Sequence, residues 1–106
     1  MFARMLEFNI KMEKKNEFVT TVKTEVLPIL KKQAGFLEIL PFFGEIKPEK
    51  VTVISLWETK ANATKYEKET YYKVEEILKP WLLTPITTTP YNLEKTLAEH
   101  FVQSFV

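Results

Sequence analysis

The rhythm of apolar and polar positions changes several times along the chain, and each change marks an element. Residues 2–12, "FARMLEFNIKM", alternate: Phe2, Leu6, Phe8, Ile10 and Met12 share one side, and Ala3, Met5, Glu7, Asn9 and Lys11 share the other. A period of two puts successive side chains on opposite faces of a strand, so this segment predicts a strand with one strongly apolar and one mixed face. By parity Arg4 falls on the apolar side. From about Lys14 the period becomes helical, with Phe18, Val22, Val26, Ile29 and Leu30 on one stripe. Pro28 sits inside that stripe and lacks a backbone donor, which predicts a kink or a weakened last turn. "KKQAGF" closes the helix, with Lys31 and Lys32 near its negative end and Gly35 suited to a left-handed stop.

Residues 36–43 and 51–57 read as two further strands joined by "GEIKPEK", an exposed hairpin loop. Both faces of these strands carry large apolar residues, Leu37, Ile39 and Phe43 against Phe36, Leu40 and Phe42. The chain's own helices can cover one face; a second copy of the chain is the economical cover for the other. Thr59 can cap a second helix running to about Lys79, with Ala63, Tyr66, Thr70, Val74, Ile77 and Leu78 on its stripe and Pro80 at its end. "TPITTTPY", residues 84–91, is β-branched and bracketed by prolines, which suits a short edge strand. The tail "NLEKTLAEHFVQSFV" places Leu93, Leu97, Phe101 and Phe105 four apart, with Asn92 as a possible cap, and predicts an amphipathic helix. The order β-α-β-β-α-β predicts an α+β, ferredoxin-like protomer with an antiparallel sheet. One domain is expected over residues 1–106, with its core at about 2–91 and a helical tail at about 92–106.

Composition narrows the chemistry. With 106 residues, 45% hydrophobic and 27% charged, the chain has ordinary globular make-up rather than that of a disordered segment. A formal charge of +1 gives no long-range attraction to nucleic acid or an anionic membrane, so neither is expected as a partner. Cysteine is absent, which removes disulfides and thiolate metal sites and suits a reducing cytoplasm. Aspartate is absent too, against the usual calcium loop and the aspartic-protease pair. Two glycines cannot build a phosphate-cradling loop, and the single His100 cannot build a multi-histidine metal site. No apolar run approaches the length of a membrane span, and Arg4 and Glu7 interrupt the N-terminus too early for a signal peptide. A cytoplasmic protein with no metal and no cofactor is the expectation.

The order of elements, together with "PILKKQAGF" leading into the second strand and "ISLWETKANATKY" leading from the third strand into the second helix, resembles the antibiotic biosynthesis monooxygenase family. The likeness covers roughly residues 2–91. It implies a homodimer in which two ferredoxin-like sheets face each other as a dimeric α/β barrel. It also implies cofactor-independent oxidation of a small aromatic or quinol-type substrate whose own oxyanion passes an electron to dioxygen. The protein would then supply a dry apolar cleft and hydrogen bonds to that oxyanion. Asn9 is placed like the strand-one Asn of such enzymes, and Tyr66 could donate or relay a proton; these two are the implied catalytic residues. Tyr71, Trp57 and Arg4 are the candidate substrate contacts. The haem-degrading branch of the family carries a Trp and an iron-ligating His where this chain has Tyr66 and Glu76, so haem ligation of that type has no obvious ligand here. The alternative function is a non-catalytic dimeric barrel that binds an apolar ligand or serves as an assembly module.

Each candidate also has a structural reading. A strand-end Trp such as Trp57 packs under helices in many folds. Tyr66 lies on the buried stripe, where a hydroxyl needs a partner that can be backbone, water or ligand. Adjacent Tyr71 and Tyr72 point about 100° apart on a helix, so only one can share the face of Tyr66. Arg4 can pair with a Glu, and the alternating Glu and Lys of residues 65–79 read first as a solvated face. An enzyme of this kind is expected to keep a cleft of several hundred Å³ between sheet and helices, in the usual range for ligand pockets, with Asn9 and Tyr66 facing into it.

Overall fold

The alternation at the N-terminus does become a strand. In a computed structural model, which describes residues 1–104, β1 runs Phe2–Asn9 with every second side chain buried. It pairs antiparallel with β3 (Lys50–Trp57) on one side and β4 (Thr87–Asn92) on the other, and β2 (Phe36–Phe43) pairs with β3. The sheet order is β2-β3-β1-β4, and with helices packed on one face this is the ferredoxin-like α+β arrangement. Phe2, Arg4, Leu6 and Phe8 face the helices, in register with Trp57, Ser55, Val53 and Val51. The core is built on these residues together with Phe18, Val26, Leu30, Ala63, Tyr66, Val74 and Leu78.

The first strand is shorter than its alternation suggested. Ile10 still bridges to Leu82, but Met12 enters a single 3₁₀ turn, Met12–Lys14, and is exposed. The first helix is α1 (Lys15–Thr21), a π-helical turn (Val22–Val26) and α2 (Leu27–Lys31) in succession. Proline explains the interruption, though its effect falls one turn earlier than the expected kink. Pro28 cannot donate to the carbonyl four residues back, and the ladder shifts to a longer step in which the Leu27 amide bonds the Val22 carbonyl. Gly35 stops the helix with φ 77°, and a side chain there would collide with Asn62, so both conformation and close approach require glycine.

Thr59 caps α3 (Lys60–Glu69) as expected, accepting from the Asn62 amide at 3.1 Å. The second helix is not continuous. Thr70 leaves helical geometry, and α4 (Tyr71–Leu78) restarts behind it. The break rotates Tyr71 toward the face of Tyr66, where an unbroken helix would hold it off the stripe. At the C-terminal end β4 runs on through Asn92, so Asn92 is a strand residue and caps nothing. The tail helix is only α5 (Glu99–Gln103), with Leu97 exposed; Phe105, on the expected stripe, lies outside the described residues.

Candidate functional site

The helix-side layer has two unlike ends. Toward α1 it is mostly apolar: Phe18 meets Phe8 and Phe43 edge-to-face, with ring centroids 5.9 and 6.2 Å away. Toward α3 and α4 it holds polar groups. Trp57 lies fully buried at the end of β3, stacks on Tyr66 at 4.9 Å and donates its indole N–H to Ser55 Oγ at 3.0 Å. Tyr71 meets Tyr66 edge-on at 6.1 Å. Between these rings stands Arg4, only 2% exposed, with its guanidinium carbon 4.6 Å from the Tyr71 centroid and 5.3 Å from that of Tyr66.

A buried guanidinium normally hydrogen-bonds with all its donors, because leaving one unpaired in an apolar interior is costly. Here Arg4 Nε and Nη2 are buried without a hydrogen-bond partner, and so is Tyr71 Oη. Glu67 Oε2 approaches Arg4 Nε at 3.5 Å, an ionic contact without hydrogen-bond alignment, and its side chain is more than half exposed. The two aromatic faces offset part of the cost; cation–π contacts out of water are worth about 2 kcal/mol. What remains is an electropositive cluster with donors free.

Burial pushes the Tyr66 hydroxyl well above its ordinary range, against the opposing pull of the Arg4 charge. Tyr71 is raised as well, by burial first and by the charge of Glu75, while the Arg4 charge and the Thr88 hydroxyl, which approaches Tyr71 Oη without the geometry of a full hydrogen bond, pull it down. Both phenols therefore stay protonated at neutral pH. They are donors to an incoming oxygen atom and poor bases.

A chamber of about 30 Å³ borders Arg4, Ser55 and Tyr66; the rest of its wall is apolar, Phe18, Val22 and Val74 included, and Trp57 and Tyr71 do not line it. The chamber has room for one oxygen atom or water, not for a ring. Beyond Phe18, Val22 and Ile39 opens an apolar pocket of about 210 Å³. The expected cleft of several hundred Å³ with Asn9 and Tyr66 facing into it is not found among the described residues: Tyr66 borders only the small chamber, and the larger apolar pocket touches neither residue.

The five candidate residues separate into two places. Arg4, Trp57, Tyr66 and Tyr71 come together on the helix side. Asn9 does not join them. Its parity sets it with Ala3, Met5 and Glu7 on the opposite face, where it borders an open recess with Glu7, Lys50, Thr84 and Thr87. Its backbone amide is tied to Thr84 Oγ1 at 2.8 Å. Two residues of the cluster escaped the sequence reading. Ser55 is the polar residue at a helix-facing position of β3, between Val53 and Trp57, and that parity could have found it. Glu67 looked like one of many charged helix residues, and nothing local distinguishes it.

The sequence profile of the antibiotic biosynthesis monooxygenase family matches residues 1–74. The chain belongs to that family. Its fold is shared by SnoaB of Streptomyces nogalater, described as a cofactor-independent oxygenase, at a TM-score of 0.74 and 12% identity over 91% of this chain and 95% of SnoaB. A conserved protein of Methanosarcina mazei Go1 superposes with a TM-score of 0.71 at 19% identity, covering 89% of this chain and 94% of its own. Rv0793 of Mycobacterium tuberculosis superposes at 0.66 with 9% identity, covering 87% and 93%. Identities this low establish a common fold and no more. No curated protein matches the sequence. Among the described residues no helix is long and apolar enough to cross a membrane, and no cluster of three metal-ligating side chains occurs.

Proposed function

We propose that this family member is a cofactor-independent monooxygenase acting on a small phenol or quinol, with its reacting oxygen held at Arg4. The observation that carries this reading is the buried Arg4 guanidinium with donors unfilled, beside two tyrosines that burial keeps protonated. A cation in a water-poor site lowers the energy of a phenolate and of the charge that develops as it reacts. One electron passes from the ionised ring to dioxygen, and the superoxide so formed combines with the ring radical to make a carbon–oxygen bond. Tyr66, the tyrosine that borders the chamber, relays a proton to the resulting peroxide, which loses water to leave a carbonyl. Overall one quinol and one dioxygen give one hydroxyquinone and one water. Trp57 is the wall that fixes the Tyr66 ring. Asn9, implied by the family resemblance, stands across the sheet and has no part in this chamber.

The half-covered opposite face supports a second copy of the chain as its partner. Ala3, Met5, Leu40 and Ile54 lie there half-buried with Asn9, beside Leu56, which the protomer already buries, and a pair of such faces would close a dimeric barrel and bury the Asn9 recess. The closed state of the inner chamber favours one other reading, a dimeric barrel that binds an apolar ligand without turning it over. Oxygen uptake with a panel of quinols separates the two. Wild type should consume oxygen, Arg4→Gln should lose about 100-fold or more, as when one oxyanion donor is removed, and Tyr66→Phe should lose less. Uptake unchanged in both variants removes the site; binding without uptake in wild type leaves the non-catalytic reading.

A further inference from the structure

We infer that the apolar pocket beside the π-helical turn is the ring subsite of this chamber, sized for a single aromatic ring, and that Val22 sets the limit. The inference rests on reading the Arg4 chamber as the site of the substrate's oxygen. Three observations lead to it.

The first is division of space. The inner chamber holds about 30 Å³, enough for an oxygen and too little for the ring that must carry it. The second is adjacency. Phe18, Val22 and Ile39 border both the chamber and the outer pocket, so a ring in the outer pocket needs to pass only this partition to direct its oxygen at Arg4. Only apolar atoms face the outer pocket, and Leu27, Pro41 and Phe43 complete its wall. Its volume, about 210 Å³, exceeds the roughly 150 Å³ that accommodates benzene in an apolar cavity, so one ring fits within it while three fused rings would extend past its mouth into solvent. The third is the backbone. The π-helical turn Val22–Val26 supplies Val22 to both spaces, Val26 to the inner one and Lys23 to the outer rim. Turns of this kind recur at functional sites because they displace one residue from the regular helical ladder. Lys23 at the rim favours the anionic form of an arriving phenol.

Binding can be read without turnover. Under anaerobic conditions 4-nitrophenol reports its own ionisation by colour, so wild type should bind it as the phenolate at a pH where the free compound is mostly neutral. Displacement by 4-methylphenol (one ring) should be about tenfold more effective than by 2-anthrol (three fused rings), a difference of about 1.4 kcal/mol. Val22→Ala should narrow that gap to about threefold by opening the partition. Val19→Trp, on the half-exposed rim, should weaken both displacers about tenfold while circular dichroism and Tm stay at wild-type values. Failure of wild type to bind 4-nitrophenol overturns the inference, and so does equal displacement by one and three rings. A Val19→Trp variant and a Val22→Ala variant that both behave like wild type also overturn it. Ring preference that follows Val22 with no oxygen uptake sinks the monooxygenase reading alone; uptake with a ring preference indifferent to Val22 and Val19 sinks the subsite alone.

Discussion

The two faces of one sheet differ in who covers them. On the helix side, β1 contributes Phe2, Arg4, Leu6 and Phe8, all at most 8% exposed, and the chain's own helices account for their burial. On the other side the same strand contributes Ala3, Met5, Glu7 and Asn9, all only half-buried. One backbone thus carries a finished face and an unfinished one. The finished face has a defect of its own, a permanently cationic side chain set among rings, and the unfinished face has ordinary mixed composition. Stability and chemistry should therefore respond to different sets of residues, and substitutions can pull them apart.

The largest loss of stability should come from the apolar end of the finished face. Phe18→Ala removes a ring that is 1% exposed and touches both Phe8 and Phe43, and should cost about 3–5 kcal/mol in chemical denaturation. A cost below about 1 kcal/mol would mean that the helix bearing Phe18 is not held by this contact. Arg4 should behave in the opposite sense. Replacing a buried ion by an apolar side chain of similar volume is commonly neutral or stabilising by about 1–4 kcal/mol, and Glu67 is exposed enough to be rehydrated when its partner goes. Arg4→Met should therefore raise stability by about 1–2 kcal/mol while abolishing 4-nitrophenolate binding. Destabilisation by more than about 2 kcal/mol would make Arg4 a structural residue whose donors are satisfied in solution.

A smaller effect, confined to alkaline solution, comes from the tyrosines. Above pH ~10 an unfolded chain gives up tyrosine protons that the folded chain retains, because burial holds Tyr66 and Tyr71 neutral. The unfolded state then binds fewer protons, so folding stability falls as pH rises. The contribution is intact below pH ~10 and fades as pH climbs toward the raised folded value. Tyr66→Phe should flatten this alkaline decline in a series of thermal melts; an unchanged slope would show that Tyr66 reaches solvent.

How much of this was legible beforehand follows from which information is local. The alternation of residues 2–9 and the stripe through Phe18, Val26 and Leu30 announced strand, helix and core, since periodicity is a direct projection of geometry. The Thr59 cap and the Gly35 stop were equally readable. Pro28 announced a disturbance but not its form or position, because whether a helix kinks or takes a π-helical turn depends on what packs beneath it. The break at Thr70 carried no signal strong enough to interrupt an amphipathic stripe, yet it brings Tyr71 to Arg4. Above all, parity placed Arg4 and Asn9 on opposite sides of β1 from the beginning. The resemblance that joined Asn9 to Tyr66 did not include the face to which the second helix returns. Ser55 needed the same two facts, the parity of β3 and the side on which the helices lie.

The unfinished face should yield the smallest change in protomer stability and the clearest change in assembly. Ile54 sits near its centre, paired with Met5 on β1 and Leu40 on β2, and is half-buried in the protomer. Ile54→Lys leaves the helix-side core untouched, so its effect on the folded protomer should stay within about 0.5 kcal/mol, as for other surface changes. Placed opposite a second copy, however, two new ammonium groups would be buried without partners, which an interface does not tolerate. Sedimentation at low micromolar concentration should therefore find wild type dimeric and Ile54→Lys monomeric, with unaltered 4-nitrophenolate binding per protomer, because the chamber lies on the other face. A wild-type monomer would show that the half-covered face is stable in water as it stands. A monomeric variant that no longer binds the phenolate would mean that the partner props the helix-side chamber through the sheet, and the two faces would then be one functional unit.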